Sequence, residues 1–327
     1  MITKLSIANF KSIRQLDIDC KKINLFIGEP NTGKSNILEA LALFSWCGRH
    51  SQPLGDYVRF ELVQDLFSDG LVADEEICIC ISLSSGQPTA ELHVRFARDR
   101  FEFRSQPNSD PFRGVTHKGE NGGGGTHPRA GEIKFYRFRD RASYSSSEPG
   151  NLNPPNGSNL FSSVFGSKAL REIVAEFFRK YGLKVIMKPQ ERVFELQKQT
   201  DDLVFSLPYT LQSDTLRRII FYSIAIASNK DSTLVFEEPE SNAFPYYTKY
   251  LGERIALDET NQFFIATHNP YLLSAIVEKG RKEDVQVFIT YFKDYETKVK
   301  PLTAEEVVEL MEADPFFNMD RFIEDGE

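Results

Sequence analysis

The chain has 327 residues, 41% of them hydrophobic with 27 Phe, and a formal net charge of −8. That is enough apolar material for one large core or two ordinary ones, and an acidic balance that argues against a general nucleic-acid-coating protein. No apolar run approaches the ~20 residues of a membrane span, the first residues are too short and polar for a signal peptide, and Cys20, Cys47, Cys78 and Cys80 have neither metal-type nor disulfide-framework spacing, so a soluble, cytoplasmic protein is expected.

Ile2, Leu5 and Ile7 lead into residues 9–13, and residues 16–19 alternate, which predicts two strands and a turn. Residues 23–27 are an apolar strand. Gly28-Glu29-Pro30-Asn31-Thr32-Gly33-Lys34-Ser35 follows, a G-x-x-x-x-G-K-S phosphate-binding pattern, and residues 36–44 are good helix formers with apolar residues on more than one face. Strand, glycine loop and helix suit the chemistry. The glycines let successive N–H groups face phosphate oxygens, and the helix N-terminus adds partial positive charge. Lys34 can reach the β- and γ-phosphates, and the Ser35 hydroxyl can ligate Mg²⁺.

Residues 45–75 carry no clear pattern. Residues 76–84 and 90–104 alternate as two antiparallel strands joined through residues 84–88, with Cys78 and Cys80 read as small core residues on one strand face. Residues 105–131 hold Pro, Asn and a four-glycine run, which predicts a mobile surface insertion. His117 and His127 flank that run without a third ligand, so a metal site is not expected there. Residues 133–139 are strand-like and 143–159 loop-like. Helices are expected over 167–180, with Gly182 beyond its end, and over 215–228; strands are expected over 184–188, 193–197 and 203–205. Arg95, Arg98, Arg100, Arg104, Arg137, Arg139 and Arg141 alternate with aromatics; a solvated strand face accounts for them better than a DNA-facing patch.

Residues 233–236 are an apolar run ending in Glu237-Glu238-Pro239-Glu240, which reads as a buried parallel strand whose carboxyl end meets a ligand crevice. The first carboxylate can hold the Mg²⁺ shell and the next can activate a water. Residues 261–266 form a further strand ending in Thr267-His268-Asn269-Pro270, where His268 can sense a γ-phosphate. Residues 284–291 suit a last core strand and 302–312 a short helix; the tail from Asp314 to Asp320 is expected to dock on its own domain.

Residues 9–13, 28–36, 236–240 and 267–270, in this order, resemble the ATP-binding-cassette ATPases of the RecF/SMC/OLD type, and more narrowly the stand-alone prokaryotic AAA family ATPases (AAA-type 15 or 21) frequent in phage-defence operons. The resemblance covers both ends of the chain; residues 45–165 match only loosely. It implies a P-loop α/β fold: one ABC-type head with a mixed central sheet, an antiparallel β subdomain and a small helical lobe. Within that single domain, 1–104 form the N-terminal lobe, 105–165 a loop-rich insertion and 166–327 the C-terminal lobe. It implies ATP and Mg²⁺ as cofactors, a Walker A motif at 28–35, and ATP contacts from Asn9, Lys11 and Asn36 as well. It implies Ser35 and Glu237 on the metal, Glu238 as base, His268 as switch, and a D-loop near residues 241–245.

Family members close two heads around two nucleotides, the signature of one meeting the γ-phosphate on the other. By position that signature is Ser213-Asp214-Thr215, where Asp214 replaces the usual glycine. Glu237 replaces the usual Asp, Asn242 the usual D-loop histidine, and Gln64 is the candidate for the Q-loop. Within these residues neither a coiled coil of the SMC type nor a nuclease domain of the OLD type is expected. The function implied is an Mg-ATP-hydrolysing switch that dimerises on ATP and controls a separate effector in antiphage defence. Alternative readings are a DNA-binding repair ATPase of the RecF sort and a nucleotide-gated scaffold with little turnover.

Overall fold

The computed structural model describes residues 1–49, 52–70, 72, 75–84, 90–127, 130–312, 315–316 and 319–324. β1 (Ile2–Phe10) and β2 (Ile13–Asp19) form a hairpin, and β3 (Ile23–Ile27), buried at every position, runs into the glycine loop and α1 (Lys34–Cys47). The antiparallel strands β4 (Ile77–Leu83), β5 (Ala90–Ala97), β6 (Arg100–Arg104), β7 (Arg113–Val115) and β8 (Asn121–Gly124) follow, then β9 (Ile133–Tyr136). After an irregular stretch come α2 (Leu160–Gly166), α3 (Lys168–Arg179), β10 (Lys184–Lys188), β11 (Val193–Thr200), β12 (Leu203–Pro208) and α4 (Asp214–Ser228). β13 (Thr233–Glu237), α5 (Pro245–Ala256), β14 (Gln262–Ala266), α6 (Pro270–Lys279), β15 (Val285–Lys293), β16 (Glu296–Pro301), α7 (Ala304–Glu312) and α8 (Asp320–Glu324) complete the chain.

Three sheets result. A seven-stranded antiparallel sheet runs β2-β1-β4-β5-β6-β7-β8, and a six-stranded sheet runs β16-β15-β3-β14-β13-β9. In the second, only β16 is antiparallel to its neighbour. A small sheet runs β10-β11-β12. α1 lies between the two large sheets. Its Ile37, Leu38, Leu41, Phe44 and Trp46 join one apolar cluster with Leu5, Ile7, Ile79 and Leu92 of the antiparallel sheet and with Phe26, Phe264 and Phe288 of the central one. That explains a helix apolar on more than one face. The other face of the central sheet, Leu25, Ile265, Leu234 and Ile289, packs on α2–α8 and on Phe194 and Leu196 of the small sheet. β3, β14 and β13 are adjacent and parallel, so the glycine loop, Thr267-His268 and Glu237-Glu238 leave the sheet at one edge. Among the described residues, no helix is long and apolar enough to cross a membrane.

Several expectations need correction. Residues 90–104 are not one strand but the hairpin β5–β6, because Arg98 (φ 53°) and Asp99 (φ 60°) make a two-residue left-handed turn. Residues 105–131 are not all surface loop: β7 and β8 extend the antiparallel sheet, and Arg113 is buried with its guanidinium 4.3 Å above the Trp46 ring. Cys78 and Cys80 are not core residues; Ile77, Ile79 and Ile81 take the core face of β4 and leave the thiols half-buried on the other. The connection expected at 84–88 lies, beyond Ser84, outside the described residues. In the tail, Asp314, Phe317 and Asn318 also lie outside them, whereas Phe316, Met319 and Phe322 pack on the core. α2 and β16 went unread because Ser, Gly, Lys and Glu dilute their apolar periodicity.

Candidate active site

The glycine loop has the shape its sequence demands. Gly33 sits at φ 94° and Asn31 at φ 63°. A Cβ on Gly28 would lie 2.3 Å from the Thr290 carbonyl oxygen, and one on Gly33 would lie 1.9 Å from Thr297 Oγ1. The β15–β16 hairpin therefore braces the loop from outside. Thr290 and Thr32 share a hydrogen bond of 2.8 Å, and Thr290 donates to the Ile27 carbonyl at 3.0 Å. Thr297 bonds Ser12 at 2.6 Å, and Asn36 donates to Ser12 at 2.7 Å. α1 begins without a side-chain cap and without an acidic residue in its first turn, which leaves its N–H groups for an anion. Lys34 donates to the carbonyls of Gly28 (2.8 Å) and Glu29 (2.6 Å). Burial pushes its pKa down to about 8 despite the nearby Glu238 and Glu29.

The strand-end carboxylates lie opposite. Glu237 hydrogen-bonds Ser35, and it accepts from Arg137 at 2.7 Å and from Arg59 at 3.1 Å. Burial would raise its pKa, but Arg137, Ser35 and Arg59 together hold it below the usual carboxylate value. Ser35 and Glu237 are an adjacent, all-oxygen pair of the kind Mg²⁺ accepts beside phosphate oxygens. Two guanidinium groups on the same carboxylate oppose a bare dication, so the residues fit a metal that arrives with its anionic nucleotide. Glu238 stands at φ 42°, its N–H donating to the Ala266 carbonyl at 3.0 Å. Its side chain receives a hydrogen bond from Ser241 at 3.1 Å, and its Oε1 lies 3.4 Å from His268 Nε2. The His268 pKa is lowered by burial and by Lys34, with Glu238 opposing. The structure thus brings together Lys34, Ser35, Glu237, Glu238 and His268 from three parallel strands.

Other expected residues fall elsewhere. Asn9 donates to the Glu76 carbonyl at 3.2 Å, and Lys11 pairs with Glu39 and donates to the Arg59 carbonyl at 2.7 Å. Both side chains are tied into the protein. Ser213 caps α4 by accepting from Leu216 N. Asp214 turns back along the helix toward Arg218 (3.4 Å), and Thr215 donates to the Asn242 carbonyl at 2.8 Å. Gln64 is exposed on a helical turn; Arg59, five residues earlier, is the one that reaches the site. The arginines read as one face divide: Arg137 enters the site, Arg139 pairs with Asp56 and Arg104 with Glu102. His117 packs against Phe96 and Phe101, and His127 against Phe44 and Phe112.

Sequence reasoning missed four members of the site. Arg59 and Arg137 reach Glu237, and Glu39, fully buried on α1, accepts from Lys11 and Arg59. The fourth, Glu240, is buried, accepts a hydrogen bond from Thr267, and has its pKa raised to about 7 by burial. A lone carboxylate in a helix that is apolar all round was the available signal for Glu39. Glu39→Ala is expected to cost about 3 kcal/mol, the low end for breaking a buried ion pair, because Arg59 can swing to water. Arg179→Ala, which removes an exposed pair with Glu172, should stay within about 0.5 kcal/mol of wild type. Urea unfolding of both variants checks this; equal midpoints would contradict it.

A cavity of about 770 Å³ borders the outer flank of the loop, lined by residues 28–32 and 289–293 with Met319, Asp320 and Ile323. None of Ser35, Glu237, Glu238 or His268 lines it. Their face is open: the side chains of Glu238 and His268 are 46% and 37% exposed. Leu211, Phe244 and Tyr271, each a few residues along the chain from a site residue, are exposed as well.

Two stretches of the chain match known families. The family described as "AAA ATPase domain" matches residues 1–106, which hold the glycine loop, and "AAA domain, putative AbiEii toxin, Type IV TA system" matches residues 160–274, which hold Ser213, the two carboxylates and His268. An "ATP/GTP phosphatase" of Helicobacter pylori (strain ATCC 700392 / 26695) is 35% identical over 107 residues, 29% of this chain and 28% of that protein. The chain thus matches little more than a quarter of that relative's length. Among solved structures, the Smc head bound to the C-terminal winged-helix domain of ScpA superposes with a TM-score of 0.58 at 15% identity, covering 93% of this chain and 99% of the other. A Smc head domain with an extended coiled coil, bound to the C-terminal domain of ScpA derived from Pyrococcus furiosus, gives 0.55 at 14% identity, covering 95% and 98%. At such identities the likeness is one of fold.

Proposed function

Taking the chain as an ATPase of the AAA type with an SMC-head-like fold, we propose that it is an Mg-ATP-driven switch: two copies close around two nucleotides, hydrolysis reopens them, and the closed state acts on a separate effector in antiphage defence. The observation that carries this reading is the open face. Glu238 and His268 stand at a strand edge and are partly exposed to solvent, and Leu211, Phe244 and Tyr271, close in sequence to Ser213, Asn242 and His268, are exposed as well. A second surface laid there would exclude water from the reacting phosphate, which strengthens every charge interaction inside. In this reading Lys34 and the loop N–H groups hold the phosphates, and Ser35 and Glu237 hold the metal. Glu238 takes a proton from the attacking water, and His268 faces the γ-phosphate. Bound Mg²⁺ would supply neutralisation of charge on the phosphate oxygens. Ser213, the N-cap of α4, satisfies Leu216 N with its own hydroxyl, and in this reading the remaining N–H groups of that first turn face the partner's nucleotide. Asp214, drawn back by Arg218, need not face that phosphate. Turnover and solution mass measured together on wild type and Glu238→Gln test the proposal.

Lys34 adds a pH dependence. Its pKa in the free protein is about 8, and bound phosphate favours the charged form. Full affinity for nucleotide is therefore expected below pH 8, falling by up to about tenfold per unit above it, with a proton taken up on binding. Calorimetric titration at pH 7 and pH 9.5 in buffers of different ionisation enthalpy reads both; equal affinity at the two pH values would contradict it.

A further inference from the structure

The outer face of the antiparallel sheet carries a group of side chains that nucleotide chemistry does not use. Cys78 and Cys80 stand two apart on β4, and the strand register sets His93 of β5 opposite Cys78 and Glu91 opposite Cys80. The two sulfurs are 3.3 Å apart, and Cys78 Sγ is 4.0 Å from His93 Nε2. His93 is buried, with a carboxylate at each ring nitrogen: Glu91 Oε2 lies 3.2 Å from Nε2 and Glu76 Oε2 3.5 Å from Nδ1. On the other side of β4, strand β1 sets Ala8 against Cys78 and Ser6 against Cys80. Asp17 of β2 is engaged by Ser6 at 2.5 Å, and Arg104 of β6, opposite His93, is bound to Glu102 at 2.6 Å. His93 is thus the cation at the thiol pair, and its two carboxylates favour the protonated ring.

From this arrangement we infer that Cys78 is a nucleophilic thiolate paired with the His93 imidazolium, and that it is the site at which hydroperoxides oxidise this chain. In the step, Cys78 Sγ attacks the terminal peroxide oxygen. The S–O bond forms as the O–O bond breaks, and the leaving oxygen takes its electron pair and the proton from His93 Nε2. Sulfur is oxidised by two electrons to the sulfenic acid, and the peroxide is reduced to an alcohol or to water. Cys80, at 3.3 Å, hydrogen-bonds the product. A disulfide between the two is disfavoured, because successive same-face residues of an extended strand hold their Cα atoms near the upper limit of disulfide reach.

Electrostatics agree with the geometry. Hydrogen bonds from Cys80 and His93 bring the Cys78 thiol down to about 5. Burial works against a charge on His93, but Cys78, Glu91 and Glu76 outweigh it and push its pKa up to about 9. The other thiols go the opposite way: burial pushes Cys20 up to about 12 and raises Cys47 as well. A thiol of ordinary pKa is about 1% ionised at pH 6.5, and the lower intrinsic nucleophilicity of a low-pKa thiolate returns most of that hundredfold difference, leaving about two- to fourfold in rate over an ordinary thiol and more over thiols whose pKa is raised.

The test uses the full chain, hydrogen peroxide at pH 6.5, a dimedone trap and peptide mass spectrometry. The expected result is a Cys78 adduct forming at least about tenfold faster than one at Cys20 or Cys47, retained in Cys80→Ser and slowed about two- to fourfold in His93→Gln. Iodoacetamide labelling of the wild-type chain against pH needs no variant: Cys78 should still react at pH 6, where an ordinary thiol is nearly silent. Adducts chiefly at another cysteine, or a Cys78 labelling midpoint near the ordinary value of about 8.5, would overturn the assignment.

Discussion

Glu238→Gln is expected to lower steady-state ATP hydrolysis by about 10²- to 10⁴-fold, the range a positioned general base contributes, while ATP still binds. The substitution keeps the shape of the side chain and its capacity to accept from Ser241, which donates to Oε2 at 3.1 Å. It removes the capacity to take a proton. The backbone of Glu238, left-handed at φ 42° and anchored by its N–H to the Ala266 carbonyl, does not depend on the side-chain charge. The fold and the phosphate loop should therefore be unaffected. Kinetics under saturating ATP, with nucleotide affinity measured separately, check this. Turnover within a few-fold of wild type would remove Glu238 from the chemistry.

Gly33→Ala is expected to abolish nucleotide binding in the micromolar range. At φ 94° a side chain is strained by about 1–3 kcal/mol. The new Cβ would also lie 1.9 Å from Thr297 Oγ1 and 2.8 Å from its Cβ, both part of a buried side chain on β16. Overpacking of that kind costs a further 1–3 kcal/mol or so. The loop, being irregular, is what will shift, and each 1.4 kcal/mol or so is tenfold in affinity. A loss of about a hundredfold or more follows. Gly55→Ala is the control, since a Cβ there meets nothing within 4 Å. Titration with a fluorescent ATP analogue distinguishes the two; equal affinity in both variants would mean the loop is not braced by β16.

What could be read from the residues is what lies contiguously in the chain. Strand, glycine loop and helix occupy one unbroken segment, as do the strand ending in Glu237-Glu238 and the strand ending before His268. Their order places all three at one sheet edge. The all-round apolar character of α1 already implied cover on two sides, and the two large sheets supply it. The charge cluster behind the carboxylates was not legible. Arg59 and Arg137 come from segments 178 and 100 residues from Glu237, and nothing local marks either. The β5–β6 turn was missed because Arg98 and Asp99 take left-handed conformations without the Asn-Gly signal. β7 hid for a different reason: its buried arginine is satisfied by the Trp46 ring and by carbonyls, so burial did not require an apolar sequence. On β4 the alternation was read correctly, but both of its faces hold residues that a core accepts, and isoleucine outcompetes cysteine for the drier side.

The most direct test of the switch is the solution mass of Glu238→Gln in saturating Mg-ATP, measured by light scattering against the same variant in ADP. The account predicts twice the 37.3 kDa chain mass in ATP and less assembly in ADP, with the doubling lost in Lys34→Ala. A mass that is the same in both nucleotides, with ATP bound, would contradict closure of two copies around the site.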